Sequence, residues 1–198
     1  MKKVLVVVGS HSIFKKMDYK KYFLNYSKDI SKLLKEVDTN LINKIVELIK
    51  KKIELDNKIY IVGNGGSSSI ASHVSVDFVK VARVKSETFN NSNIITCFAN
   101  DYGHDNWVKE AIKAYCSKDD LIIIISSSGE SPNMVNAAKF CYENNYDLIT
   151  FTGFEKNNEV SKFGKINFYV NSHEYNYIEM THHIILVSIV DIFTKKIL

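Results

Sequence analysis

The stretch IYIVGNGGSSSI, residues 59–70, decides the fold of this chain. Four apolar residues typical of a buried β-strand lead into a glycine-rich turn, and three serines then begin a predicted helix over 68–81. Glycines let the backbone approach a ligand closely, and hydroxyls beside free N–H groups at a helix N-terminus bind anions. The stretch lacks both the dinucleotide-binding glycine spacing and the P-loop lysine. It therefore predicts a strand–loop–helix unit with an anion site; a tight turn with a serine cap is the alternative.

Outward from this stretch, apolar runs alternate with segments of helical periodicity. Most of the runs are continuously apolar, as is typical of strands that are covered on both faces. This alternation predicts an α/β three-layer sandwich in which a five-stranded parallel sheet is flanked by helices. The predicted strands are 58–62, 93–97, 121–125, 147–151 and 166–170, and the predicted helices are 18–34, 40–52, 68–81, 105–115, 132–143 and 175–195.

The length of 198 residues predicts one domain, which we place at 17–198. Residues 1–16 are interpreted as an N-terminal extension without an assigned function, and Met17 is an alternative start. The apolar run over residues 4–8 is too short for a signal peptide or a membrane span, although it would suit a short extra strand. We expect no contact with a membrane.

Charge and cysteine content narrow the classes of function. The net charge of +4 is mild and scattered, which argues against nucleic-acid binding but suits anionic substrates. The three cysteines form no CxxC pair, so we expect reduced thiols and a cytoplasmic location. The first and last predicted helices have long apolar faces, which predict a dimer or tetramer.

A second serine-rich loop, ISSSGESPN, occupies residues 125–133. It follows a buried strand, and Ser131 and Pro132 are typical of the N-cap and first position of a helix. Ligands bind at the carboxyl ends of parallel strands, where such loops meet helix N-termini. Two serine loops at one edge of the sheet predict a phosphate site.

Two carboxylate–imidazole pairs occur on predicted helices. His73 and Asp77 are four residues apart, as are Glu179 and His183, so each pair shares one helix face. Together the four side chains could form a divalent-metal site, with zinc as the first choice. Ordinary surface ion pairs are the alternative interpretation.

Three motifs, GNGGSSSIASHVSVDF, CFANDYG and SSSGESPNMVNAA, occur in this order and resemble the sugar isomerase (SIS) domain, and within it the phosphoheptose isomerases. The resemblance implies a homotetramer, or a dimer, with active sites shared between subunits. It also implies isomerisation of sedoheptulose 7-phosphate to D-glycero-D-manno-heptose 7-phosphate for lipopolysaccharide or capsule synthesis. His73 matches a zinc ligand of the family. The substrate-binding residues predicted on this basis are Asn64, Gly65, Gly66, Ser67, Asn100, Asp101, Ser126, Ser127, Ser128, Ser131 and Glu179.

Interconversion of a ketose and an aldose moves a proton between C1 and C2, which requires a base and a group that shuttles protons. We expect Asp77 and His183 to be this catalytic pair, with His73 and Glu179 holding a metal or orienting them. The chain departs from the family at two positions, because Asp77 replaces a glutamate and Val187 replaces a catalytic histidine. Two alternatives therefore stay open: an isomerase of another phosphosugar, and a non-catalytic SIS module that binds a sugar phosphate or a protein partner.

Overall fold

The computed structural model describes residues 17–194. Residues 1–16, which we interpreted as an extension, lie outside this range. The helices are α1 (Tyr19–Lys35), α2 (Thr39–Glu54), α3 (Gly66–Lys80), α4 (Ser92–Tyr102), α5 (Trp107–Tyr115), α6 (Pro132–Glu143) and α7 (Tyr175–Thr194). The strands are β1 (Ile59–Gly63), β2 (Ser86–Thr88), β3 (Leu121–Ser126), β4 (Asp147–Thr152) and β5 (Ile166–Tyr169).

The five strands form one sheet in the order β2-β1-β3-β4-β5, and all neighbouring pairs are parallel. β1 and β3 lie at its centre, in a register that pairs Ile59 with Leu121 and Gly63 with Ile125. Every residue of these two strands is buried, as expected for strands covered on both faces. The predicted five-stranded parallel sheet is confirmed, and it brings the loops after β1 and β3 to the same edge.

Helices cover both faces of the sheet and enclose two apolar clusters. On one face, α2, α3 and α7 pack against alternate strand residues such as Ile59 and Ile61. On the other face, α5 and α6 pack against Tyr60 and Val62, with α4 at the margin. The predicted three-layer α/β sandwich is therefore confirmed, and its core consists of two layers of side chains separated by the sheet.

The predicted strand over 93–97 is wrong, because this segment lies within α4. The Asn91 side chain accepts a hydrogen bond from the backbone N–H of Asn93 at 2.9 Å and caps the helix. Ile94, Ile95 and Phe98 then pack on the second apolar cluster with helical spacing. The actual second strand, β2, is a polar edge strand of three residues, so it has no apolar run that sequence could reveal.

Among the described helices, α7 alone is long and apolar enough to cross a membrane by length and composition. In the structure, however, Ile178, Ile185, Leu186 and Ile189 are buried in the apolar core. α7 therefore packs as a core helix.

Candidate active site

The loop after β1 is shaped by two glycines. Gly65 has φ = 53°, a left-handed conformation that glycine adopts readily, and it serves as the N-cap of α3 without a side-chain cap. At Gly66, an added Cβ would lie 2.1 Å from Glu179 Oε2, far inside any permitted contact. Gly66 therefore makes room for the carboxylate of Glu179, which approaches from α7.

The loop after β3 presents a buried hydroxyl with no partner. Ser127 is 6% exposed, and its Oγ has no hydrogen-bond partner among the residues of 17–194. Ser131, the N-cap of α6, also makes no side-chain cap hydrogen bond, whereas Asp18 and Asp38 cap α1 and α2 in this way. An unpartnered buried hydroxyl costs stability unless a ligand satisfies it, and an uncapped N-terminus has N–H groups free for an anion.

The two loops close around one cavity of about 80 Å³, which we call the serine cavity. Its donors come from the N-termini of two helices, where the helix dipoles favour negative charge. A larger cavity of about 420 Å³ lies beside β5, but its lining mixes Glu36 and Asp38 with Lys156, which does not favour an anion. The residues that line the serine cavity are Asn64, Ser67, Ile125, Ser126, Ser127, Ser128, Ser131, Tyr175 and Glu179.

A cluster of two imidazoles and one carboxylate lies between α3 and α7. His73 Nδ1 is 2.7 Å from His183 Nε2, and His73 Nε2 is 3.1 Å from Asp77 Oδ2. Burial lowers the pKa of His183, and the neighbouring imidazole of His73 lowers it further. The neutral form of His183 is therefore favoured, which suits a group that accepts a proton.

The adjacent histidine points in the opposite direction. His182 is fully buried, and its Nε2 lies 3.1 Å from the carbonyl oxygen of Thr152 at the end of β4. Burial lowers the pKa of His182 to about 4. Of the two consecutive histidines, only His183 lies beside His73, where the four-residue spacing from Glu179 placed it.

The four residues predicted to bind zinc divide into two groups. Both ring nitrogens of His73 are engaged, one by His183 and one by Asp77, while Glu179 lies in the serine cavity. His73 contacts both His183 and Asp77, but among residues 17–194 no group of three or more His, Cys, Asp or Glu side chains has the arrangement of a metal site. In this arrangement the four side chains do not fit a zinc ion.

Glu179 occupies the position between the serine cavity and the imidazole cluster. It faces Gly66 at the beginning of α3, and burial raises the pKa of its carboxyl group. On α7, Tyr175, Glu179 and His183 follow one another at four-residue intervals and share one face. The site therefore extends along α7, with the serine cavity at one end and His183 at the other.

Two residues predicted to bind substrate lie elsewhere. Asn100 and Asp101 are exposed near the end of α4, where the amide of Asn100 donates to Asp101 Oδ1 at 2.9 Å. Neither residue lines the serine cavity. In this single chain they are not brought together with the serine loops.

Sequence reasoning missed Tyr175 and Asn133. Tyr175 lines the serine cavity, and its spacing from Glu179 was the signal that could have found it. Asn133 forms a reciprocal amide pair with Asn64, in which each side chain donates to the other at 2.9 Å. No pattern within the sequence predicts a pairing of residues so far apart along the chain.

The model of the SIS domain family matches residues 22–153, more than half of the chain. The chain belongs to the SIS domain family. Among curated proteins it is similar to a phosphoheptose isomerase of Aliarcobacter butzleri, with 29% identity over 170 residues that cover 82% of this chain and 88% of the relative.

Solved structures share the fold. The structure of a phosphoheptose isomerase from Francisella tularensis superposes with a TM-score of 0.82 at 20% identity, and covers 91% of this chain and 98% of that one. Phosphoheptose isomerase GmhA from Neisseria gonorrhoeae gives a TM-score of 0.81 at 20% identity, with coverages of 89% and 98%. The predicted SIS fold is therefore confirmed.

Proposed function

We propose that the protein is an aldose–ketose isomerase that converts sedoheptulose 7-phosphate to D-glycero-D-manno-heptose 7-phosphate, for lipopolysaccharide or capsule synthesis. The observation that carries the proposal is the serine cavity, which lies between two helix N-termini that lack side-chain caps. There the Ser127 hydroxyl is buried and has no hydrogen-bond partner among the described residues. The similarity to a relative named phosphoheptose isomerase supports the choice of a seven-carbon sugar phosphate.

The phosphate group would occupy the serine cavity. Hydroxyls of Ser127, Ser128 and Ser131, together with backbone N–H groups, would donate to its oxygens. Hydrogen bonds to a charged group contribute about 1.5–3 kcal/mol each, so a few of them fix one end of the substrate without a lysine. The cavity is small, so the carbon chain would extend from it along α7.

The reacting carbons would then lie toward the imidazole cluster. His183 is one helical turn beyond Glu179, a rise of about 6 Å along α7. We assign proton transfer to His183 and Asp77, and contacts with sugar hydroxyls to Glu179. The assignment of the first two is supported by their contacts with the two ring nitrogens of His73. A base removes a proton from the carbon next to the carbonyl, and the resulting enediol is protonated on the neighbouring carbon.

No step is assigned to a metal ion, since no group of three or more possible ligand side chains has the arrangement of a metal site among residues 17–194. Zinc binding stays a prediction. A divalent ion that polarised the carbonyl would stabilise the enediolate. An assay with and without a chelator tests whether turnover depends on such an ion.

The test is an isomerase assay with sedoheptulose 7-phosphate on the parent and on Asp77→Asn and His183→Ala. Both variants should lose most turnover, about 100-fold or more, while sugar phosphate binding is kept. His104→Ala, which removes an exposed imidazole, serves as the control and should retain full activity. Full activity of either Asp77→Asn or His183→Ala would remove that residue from the chemistry.

A second candidate function is a non-catalytic module that binds a sugar phosphate or a protein partner. The specific observation in its favour is Val187, which packs against the apolar core and places no imidazole where the family has a catalytic histidine. Parent protein that binds sedoheptulose 7-phosphate but never converts it, even with added zinc, would establish this alternative. Turnover of a hexose or pentose phosphate instead would favour the isomerase of another phosphosugar.

We also propose a homotetramer with shared active sites, located in the cytoplasm. α1 has no buried residue and exposes Tyr19, Phe23 and Leu24, while Met180 and Ile184 are exposed on α7. A monomer rarely exposes so much apolar surface on neighbouring helices. The three cysteines are free thiols, as expected in a reducing compartment.

A further inference from the structure

The two serine loops are joined by a pair of amides. Asn64 lies in the loop after β1, and Asn133 is the second residue of α6. Asn64 Nδ2 donates to Asn133 Oδ1 at 2.9 Å, and Asn133 Nδ2 donates to Asn64 Oδ1 at 2.9 Å. The two loops that Asn133 connects in this way form the serine cavity.

We propose that Asn133 is a positioning residue for phosphate binding, which through its amide pair with Asn64 sets the separation of the N-termini of α3 and α6. The inference rests on the proposed function to the extent that a phosphate occupies the serine cavity. Donors from both helices must reach the same anion at about 2.7–3.2 Å, and hydrogen bonds weaken steeply outside that geometry. A small change in this separation would therefore weaken binding.

The amide pair connects the two loops by side-chain hydrogen bonds beyond the end of the sheet. The ladder between β1 and β3 ends where Gly63 pairs with Ile125. Beyond that point, the two Asn64–Asn133 bonds are the side-chain hydrogen bonds between the loops in the described part of the chain. Without them, no side-chain hydrogen bond would join the two loops to each other among residues 17–194. The loop after β3 would keep its backbone bonds from Gly153 N–H to Ser127 O (2.8 Å) and from Val160 N–H to Gly129 O (3.0 Å), which do not fix its distance from Asn64.

Asn133 acts through Asn64 and does not touch the ligand itself. Asn64 lines the serine cavity, whereas Asn133 is absent from the lining and is only 1% exposed. In the pair, each amide uses one donor and its oxygen, so Asn64 keeps one N–H and one lone pair for the cavity. Removal of the Asn133 side chain would leave the Asn64 amide at the cavity but would remove the two hydrogen bonds that fix its position.

The experiment is a double-mutant cycle on the full chain, with Asn133→Ala, Asn64→Ala and the double variant. Calorimetry measures Kd for inorganic phosphate and for sedoheptulose 7-phosphate. Asn133→Ala should weaken both ligands by the same factor, about tenfold, and leave kcat within about twofold of the parent. In the Asn64→Ala background the same change should have no further effect.

Asn136→Ala is the matched control, because Asn136 lies one turn further along α6 and donates to the carbonyl oxygen of Asp105 at 2.8 Å. Asn136→Ala removes a single hydrogen bond of a half-buried side chain, so it should cost less stability than Asn133→Ala and keep phosphate affinity. If Asn133→Ala does not fold, Asn133→Leu replaces it, since leucine has the same number of side-chain heavy atoms with the same branching and removes both bonds. Melting curves establish that each variant is folded.

Two results would overturn the inference. One is a phosphate affinity of Asn133→Ala equal to that of the parent. The other is a loss of phosphate affinity that is just as large when Asn133→Ala is added to the Asn64→Ala variant as when it is made in the parent. A parent that binds phosphate with the expected coupling but converts no sugar would refute the proposed function and leave the inference standing. If the parent converts the sugar but Asn133→Ala and Asn64→Ala show no coupling in phosphate affinity, the inference is refuted and the proposed function stands.

Discussion

Acidification should destabilise the parent protein more than a variant in which glutamine replaces His182. His182 is fully buried, and its Nδ1 has no hydrogen-bond partner within residues 17–194. Its Nε2 lies 3.1 Å from the Thr152 carbonyl oxygen, so it acts as the donor there and the neutral imidazole is the form that fits. Burial accordingly lowers the pKa from 6.5 to about 4.

The size of the effect follows from proton linkage. Below pH 6.5 the unfolded chain binds a proton at His182, while the folded protein does not do so until about pH 4. Stability therefore falls as the pH falls, by about 1.4 kcal/mol per unit once the unfolded histidine is protonated. Between pH 6.5 and about pH 4, the loss from this one residue reaches about 3 kcal/mol.

Urea unfolding followed by circular dichroism, at several pH values between 4 and 7.5, measures this loss. His182→Gln keeps an N–H donor for Thr152 but cannot be protonated, so its stability should fall less on acidification. His104→Gln, on the surface, should follow the parent curve. If His182→Gln loses stability as steeply as the parent, His182 is not a buried neutral histidine and the reasoning fails.

Three further predictions concern ligand binding and assembly. Ser128→Ala should weaken sugar phosphate binding by about 1–3 kcal/mol in calorimetry, and unchanged affinity would contradict the phosphate site. Gly66→Ala adds a Cβ at the first position of α3 that would displace the Glu179 carboxylate, so sugar phosphate affinity should fall, and full affinity would show that Glu179 contributes nothing. Light scattering should give a mass that is a multiple of 22.6 kDa, whereas a mass of 22.6 kDa at micromolar concentration would exclude shared active sites.

The strands of the sheet were predictable where burial on both faces requires a continuous run of apolar residues. β3 is continuously apolar from Leu121 to Ile125 because both of its faces are covered. β2 has no such apolar run, because it is an edge strand of three residues that pairs through its backbone and carries polar side chains. The apolar residues of 93–97 belong instead to one face of a helix that begins after Asn91.

Within the candidate site, the position of a side chain was predictable where short-range spacing along one helix determines it. The spacing between Glu179 and His183 on one helix distinguished His183 from His182, and the structure places only His183 beside His73. The pairing of Asn133 with a loop 69 residues away depends on how the two loops pack at the sheet edge. Local patterns carry no information of that kind, so Asn133 could be found only from the structure.

Proton NMR of the parent protein with sedoheptulose 7-phosphate in D₂O tests the central claim most directly. Transfer of a proton between C1 and C2 through an enediol, by side chains in contact with solvent, should produce signals of the aldose phosphate and incorporate deuterium at the reacting carbon. Asp77→Asn should show neither change while its ligand signals still broaden on binding. Parent protein that broadens the sugar signals but yields neither aldose nor deuterium incorporation would contradict the account.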